Sequence, residues 1–230
     1  MPSVPASPSP APASLIFELE GLAVRGIPAR FDVLQSLLGD QGFRLGAGTF
    51  ARHVLSHPAQ PDLAGLLADL GSSLKPDTLA RDLGQGMEMW LRAPDRALDP
   101  GFRGVLESLR AREWTLAAYT FLDEDLANDL AARLGLAELG VTVVPVAPSK
   151  AKFLYDDAWE AAADALGQSP TRCWGIAHDQ ASVQGALGAG LLVIAAPDKL
   201  TAFQDYSGVD AVIENLTPKA VEELFAAVGA

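Results

Sequence analysis

From residue 115 onward the chain alternates short apolar segments with segments of helical periodicity, and this alternation constrains the fold more than any other feature. The apolar segments are continuous hydrophobic runs, which is typical of strands buried on both faces of a sheet. They lie at residues 115–119, 141–144, 172–176, 191–195 and 209–213. Because the links are short, we expect parallel strands with helices on both faces. The sequence therefore predicts an α/β protein with a Rossmann-like parallel sheet.

The segments between these strands have the spacing and the end signals of helices. Leu126, Leu130 and Leu134 share one helical face, and Asp123 is expected to be the N-cap of their helix. Pro218 is expected to open the last helix, in the first-turn position that proline prefers. The predicted helices cover residues 123–134, 153–166 and 180–189 and the segment that begins at 218.

Residues 26–97 have a different pattern, with helical spacing throughout and no convincing strand. We therefore predict a helical domain over 26–97 that is inserted after the first strand of the sheet. The sheet domain is then built from residues 14–25 and 98–230. Residues 1–13 are mostly Pro, Ala and Ser, and they are predicted to form a disordered tail.

The composition excludes several classes of partner. The net charge is −12 at pH 7, which disfavours nucleic acid and anionic membrane surfaces because both attract basic proteins. No window approaches the unbroken apolar length of a membrane span. The N-terminal segment lacks the basic start and the apolar stretch of a secretory signal, so a cytoplasmic protein is expected.

The segment 15–24 carries the clearest sign of chemistry. It is predicted to be an apolar strand that ends in Glu18 and Glu20, followed at once by Gly21. Because alternate side chains of a strand point the same way, the two carboxylates are expected to share one face. Two like charges held this close are unfavourable unless a cation or a reaction uses them.

Further polar groups follow the other predicted strands. Ligands of open parallel sheets lie beyond the carboxyl ends of the strands, so these groups are expected to converge with Glu18 and Glu20. Together they supply carboxylates, a hydroxyl, ammonium groups and an imidazole, which could hold a phosphate and a divalent cation. The groups in question are Thr120, Ser149, Lys150, Lys152, His178 and Asp179.

The order of these groups resembles the haloacid dehalogenase-like (HAD) hydrolase superfamily, in the helical-cap branch that includes phosphoglycolate phosphatases and β-phosphoglucomutases. The resemblance covers residues 15–216. Segment 15–24 looks like the family's opening motif, strand-Asp-x-Asp-Gly-Thr. Tyr119-Thr120 resembles the Ser/Thr motif, Lys150 or Lys152 stands near the family's lysine, and segment 175–190 resembles the acidic motif with its helix.

The resemblance implies a mechanism and a set of roles. In the family the first Asp attacks phosphorus, and the second protonates the leaving group and later activates water. These catalytic roles would fall on Glu18 and Glu20. Phosphate-binding groups are implied at Thr120, Lys150 and Lys152, and a Mg²⁺ site is implied at Glu18, Glu20, Asp179 and His178.

Departures from the family pattern fall on this machinery. Glutamate is longer than aspartate by one methylene, about 1–1.5 Å, and displacements near 1 Å are associated with losses of about 100-fold in rate. The threonine after the glycine is replaced by Leu22, and the acidic pair falls on Ala177 and His178 unless a one-residue shift brings in Asp179. Histidine is a poor ligand for Mg²⁺, which favours oxygen.

Each of these groups also has an alternative in which it serves only the fold or the surface. The carboxylates would form a solvated strand end, and the lysines would be ordinary loop residues. Thr120 would cap the next helix, and Asp179 would cap the helix that begins at Gln180. His53 and His57 have a metal-like spacing, but a surface helix is predicted because no third ligand is evident.

Two functions are consistent with this sequence. The favoured one is a pseudoenzyme of HAD-like fold, with weak or absent phosphatase activity, that binds a small ligand or partner between cap and core. The alternative is an active metal-dependent phosphatase of a small phosphorylated metabolite, with Glu18 as nucleophile and Glu20, Asp179 and a divalent ion assisting.

Overall fold

The computed structural model describes residues 13–56, 61–147 and 154–228, and its centre is a parallel sheet in the order β3-β2-β1-β4-β5-β6. The sheet confirms the predicted α/β class. Because the chain runs from β1 to β3 on one side and from β4 to β6 on the other, the strand order reverses at β1. The strands are β1 (Ser14–Glu18), β2 (Thr115–Thr120), β3 (Val141–Pro145), β4 (Cys173–Ala177), β5 (Leu192–Ala195) and β6 (Ala211–Val212).

Helices surround the sheet and begin where the sequence signals place them. Asp123 accepts a hydrogen bond from the N–H of Leu126 at 2.9 Å, which confirms it as an N-cap, and Pro218 is the first residue of the last helix. The α-helices are α1 (Gly26–Gly39), α2 (Ala47–Phe50), α3 (Leu63–Asp69), α4 (Pro76–Arg92), α5 (Pro100–Ala111), α6 (Glu124–Leu134), α7 (Leu154–Ala165), α8 (Gln180–Gly188) and α9 (Pro218–Val228). None of the helices in the described ranges is both long and apolar enough to cross a bilayer.

The sheet has a separate apolar cluster on each face. Leu15 and Phe17 of β1 point to one face, where Phe17 meets the ring of Phe102 from α5 at 4.7 Å. Ile16 points to the other face, where Trp159 of α7 lies 4.8 Å from the ring of Tyr119. Burial on both faces explains why the strand sequences are continuous apolar runs.

The helices α1 to α4 are inserted between β1 and α5 and have an apolar cluster of their own, which includes Leu34, Phe50 and Leu66. The end of this insert is fixed to the sheet layer by Arg133 of α6. Its guanidinium donates to the carbonyl oxygens of Leu91 and Ala93 at 2.7 and 3.0 Å. The end of the insert is therefore tied to α6.

The prediction that the first strand continues through Glu20 was wrong. The strand ends at Glu18, and Leu19–Ala23 form a single π-helical turn. Leu19, Leu22 and Ala23 are buried in the core on this turn. An apolar run that is buried on all sides does not distinguish a strand from a helical turn.

The surface position predicted for His53 was also wrong. His53 is buried within the insert, and its ring nitrogens lie 3.2 Å from a carboxylate oxygen of Asp62 and 2.9 Å from one of Asp69. The hydrogen bond with Asp69 is the main reason why the pKa of His53 is raised. His57 lies outside the described residues.

Candidate active site between the sheet and the inserted helices

A cavity of about 270 Å³ lies between the carboxyl edge of the sheet and the inserted helices. The sheet side contributes Glu18, the last residue of β1, and Glu20 from the π-helical turn. His178 and Asp179, which follow β4, line the same cavity. The structure therefore brings together four side chains that the sequence placed at one site, although Glu20 reaches it from a turn. Ile27, Arg30, Met87 and Leu91 line the cavity from the insert.

The carboxylate of Glu20 occupies hydrogen-bond donors at the end of β2. Its Oε1 accepts from the backbone N–H of Phe121 at 3.3 Å, and the Thr120 side chain is close enough to lower the pKa of Glu20. Thr120 is buried, and its hydroxyl oxygen accepts from the N–H of Leu122 at 3.1 Å. Thr120 is therefore next to Glu20 but not part of the cavity lining, and it is not the N-cap of α6, which is Asp123.

The imidazole of His178 lies directly on Gly21. A Cβ at position 21 would stand 2.0 Å from the ring, so any side chain there would displace His178. Nδ1 of the ring lies 3.8 Å from Oε2 of Glu18, and Nε2 lies 3.8 Å from Oδ2 of Asp179. These distances are longer than hydrogen bonds, and they place the ring between the two carboxylates.

Asp179 is buried and serves the fold as the N-cap of α8. Its Oδ1 accepts from the N–H of Ser182 at 2.7 Å, which confirms the capping alternative for this residue. The hydroxyl of Ser182 in turn lies 3.1 Å from the Tyr119 hydroxyl. Oδ1 of Asp179 therefore stabilises the start of α8, and Oδ2 is the oxygen that lies near His178.

Burial raises the pKa of both glutamates at the site. The pKa of Glu18 is well above its ordinary value because the side chain is desolvated and because the charges of Glu20 and Asp179 are near. The charge of Arg30 opposes this rise. For Glu20 desolvation again dominates, and the hydrogen bond with Thr120 is the largest opposing contribution to its pKa.

The four predicted metal ligands do not fit Mg²⁺ as they are placed. This ion needs a near-octahedral set of oxygens at about 2.0–2.1 Å, whereas the His178 ring fills the space between Glu18 and Asp179. Within the described ranges, no three or more His, Cys, Asp or Glu side chains are arranged to hold a metal ion. The buried Oε2 atoms of Glu18 and Glu20 have no hydrogen-bond partner among the described residues.

Two predicted phosphate ligands, Lys150 and Lys152, lie outside the described residues, so their role stays a prediction. Sequence reasoning missed two contributors, Arg30 and Tyr155, which both line the cavity. Arg30 had a usable signal, because it lies near the start of the helix that follows the paired glutamates. Tyr155 lies near the start of α7 and had no comparable signal.

Comparisons with known proteins find solved structures that share the fold. No family model matches the sequence, and no curated protein matches it. A haloacid dehalogenase-like protein of unknown function from Agrobacterium tumefaciens is 16% identical, with a TM-score of 0.74 over 96% of this chain and 100% of that one. A HAD family hydrolase from Deinococcus radiodurans, solved with bound phosphate and sodium, is 22% identical, with a TM-score of 0.67 over 95% of each chain.

A third similar structure is CbbY from Rhodobacter sphaeroides in complex with phosphate. It is 15% identical, with a TM-score of 0.64 over 90% of this chain and 95% of that one. The chain therefore has the fold of the HAD-like superfamily with a helical cap, as the order of its motifs predicted.

Proposed function

We propose that this protein is a pseudoenzyme of HAD-like fold, which binds a small molecule between cap and core without hydrolysing phosphate esters. One observation carries the proposal: side chains of the chain itself occupy the places that a phosphate and a metal ion would need. Glu20 takes the donors at the end of β2, and His178 fills the space between Glu18 and Asp179.

The first support is electrostatic. A bound phosphate is held by charge-assisted hydrogen bonds from N–H groups, hydroxyls and cations. Here the N–H of Phe121 already donates to the Glu20 carboxylate, and the Thr120 side chain lies beside it. An incoming phosphate would have to displace that carboxylate and would remain near two more, those of Glu18 and Asp179.

The second support concerns the nucleophile. Attack on phosphorus needs an ionised carboxylate, but burial and neighbouring charges raise the pKa of Glu18 well above its ordinary value. A bound cation would counter this effect, but the described ligands do not fit Mg²⁺, the ion that would assist phosphoryl transfer. The raised pKa of Glu18 and the poor fit of the described ligands to Mg²⁺ both support the proposal.

Phosphatase activity remains the function that a test must exclude, since the similar structures include phosphate complexes. We expect wild-type protein and Glu18→Ala to give the same background with p-nitrophenyl phosphate in the presence of Mg²⁺ or Mn²⁺. Glu160→Ala, which changes an exposed residue of α7, is the matched control. Turnover that survives in Glu160→Ala but disappears in Glu18→Ala would overturn the proposal in favour of an active phosphatase.

The fit of Mg²⁺ can be tested without any activity assay. We expect millimolar Mg²⁺ to leave the Tm of the wild-type protein unchanged, because the His178 ring lies where the cation would bind. The double variant Glu18→Asp/His178→Asp opens this space and adds an oxygen ligand, so its Tm is expected to rise with Mg²⁺. Binding at ten times the dissociation constant would stabilise it by about 1.4 kcal/mol. A Mg²⁺-dependent rise in the wild-type Tm would contradict the expectation.

A further inference from the structure

We propose that the ligand of this cavity is a small organic amine whose ammonium group is held by Glu18 and Glu20 and whose apolar part lies against the cap. The inference rests on the proposed function, since it assumes a cavity that binds without hydrolysing. It adds the chemical class of the ligand, which differs from the phosphate esters of the similar structures.

The first argument is the set of unsatisfied acceptors. Oε2 of Glu18 and Oε2 of Glu20 are buried, and within the described residues neither has a hydrogen-bond partner. Nδ1 of His178 also lacks a partner, on a side chain that is only 8% exposed, and it is an acceptor in the tautomer whose proton is on Nε2, the nitrogen nearer to Asp179. All three residues line the cavity. A buried acceptor without a donor is unfavourable by about 1–3 kcal/mol, so a ligand that brings donors is favoured here.

The second argument is charge. Glu18, Glu20 and Asp179 line the cavity with three carboxyl groups, while the described part of the lining supplies one guanidinium, that of Arg30. A cation lowers the electrostatic energy of such a site, and an anion raises it. A primary ammonium carries three donors and no acceptor, which matches two carboxylate oxygens and the imidazole nitrogen of His178.

The third argument is the apolar side of the cavity. Ile27, Met87 and Leu91 of the cap line the same cavity as the carboxylates of Glu18, Glu20 and Asp179. The rings of Phe121 and Tyr155 also line the cavity, 5.5 Å apart and perpendicular to each other. Aromatic faces attract organic cations. A volume of about 270 Å³ is just below the range of about 300–1,000 Å³ for drug-sized ligands, so the amine is expected to be small.

Three probes with one aromatic body and different head groups test the proposal by calorimetric titration: benzylamine, benzyl alcohol and benzyl phosphate. We expect benzylamine to bind the full-length protein more tightly than benzyl alcohol and benzyl phosphate not to bind. Glu18→Gln and Glu20→Gln are each expected to weaken benzylamine binding by about tenfold or more, in line with the loss of one charge-assisted hydrogen bond. Glu160→Gln removes an exposed carboxylate elsewhere on the protein and should leave the affinity unchanged.

Each contrary outcome shows whether the amine proposal alone or also the pseudoenzyme proposal is wrong. Benzyl phosphate that binds more tightly than benzylamine and stays intact would overturn the amine proposal but leave the pseudoenzyme proposal standing. Benzyl phosphate that is hydrolysed by the wild type and not by Glu18→Ala would overturn both. Benzylamine that does not bind, or that binds equally to the wild type and both glutamine variants, would also exclude the amine.

Discussion

Glu18→Gln is expected to stabilise the protein at about pH 8 by about 1–3 kcal/mol, because it removes a charge whose burial without a partner is unfavourable by at least that amount. The wild-type carboxyl is 13% exposed and lies close to two other carboxyl groups. Glutamine keeps its shape and removes the charge. At about pH 4, near the ordinary pKa of a glutamate, the wild-type group is protonated and the two proteins are expected to be almost equally stable.

The direction of this effect follows from proton binding. The pKa of Glu18 is raised in the folded protein, so the folded state holds its proton at pH values where the unfolded chain has lost it. Stability therefore falls as the pH rises from the ordinary pKa towards the raised one. The glutamine variant has no proton to lose at this position, so its advantage grows over the same interval.

Urea denaturation at several pH values measures this difference directly. Thermal denaturation is a second measurement, in which each kcal/mol of stabilisation is expected to raise the Tm of a chain of this size by about 2–4 °C. Glu160→Gln is the control, because its side chain is exposed on α7 and its stability curve is expected to run parallel to that of the wild type. A parallel curve for Glu18→Gln would show that Glu18 is not desolvated as the structure indicates.

Much of the fold could be predicted because it depends on local signals. The apolar runs identified the parallel strands, and Asp123 and Pro218 identified the starts of α6 and α9. The π-helical turn after Glu18 could not be identified in this way, since Leu19 and Leu22 are buried and the run looks like a longer strand. Glu20 was predicted to lie at the site because alternate residues of a strand share one face, but it reaches the site from the π-helical turn.

The contacts that decide the chemistry of the site could not be predicted, because they join distant parts of the sequence. Glu20 bonds to Phe121, 101 residues away, and the His178 ring packs on Gly21. The sequence showed that histidine replaces an expected carboxylate, but only the packed structure shows that its ring fills the space between Glu18 and Asp179. Motif comparison thus identifies which groups differ from the family pattern, and packing shows what those groups contact.

The support beneath Glu18 leads to the largest effect that we expect on stability. Trp159 of α7 is fully buried and packs edge-on against Tyr119 at 4.8 Å. Its indole N–H donates to the carbonyl oxygen of Ser182 at 3.2 Å. Tyr119 in turn hydrogen-bonds the Ser182 hydroxyl and lies next to Glu18, whose pKa it lowers, so one buried ring supports both α8 and the end of β1.

Trp159→Ala is expected to lower the free energy of unfolding by about 3–5 kcal/mol, through lost burial and the cavity that remains. Trp159→Phe keeps a ring against Tyr119, so a smaller loss is expected. Trp90→Ala is the matched control, because Trp90 is only half-buried and packs against the guanidinium of Arg96 at 4.2 Å. Chemical denaturation of the three variants checks the order. A loss for Trp159→Ala no greater than that for Trp90→Ala would contradict a supporting role for this ring, because both variants remove the same side chain.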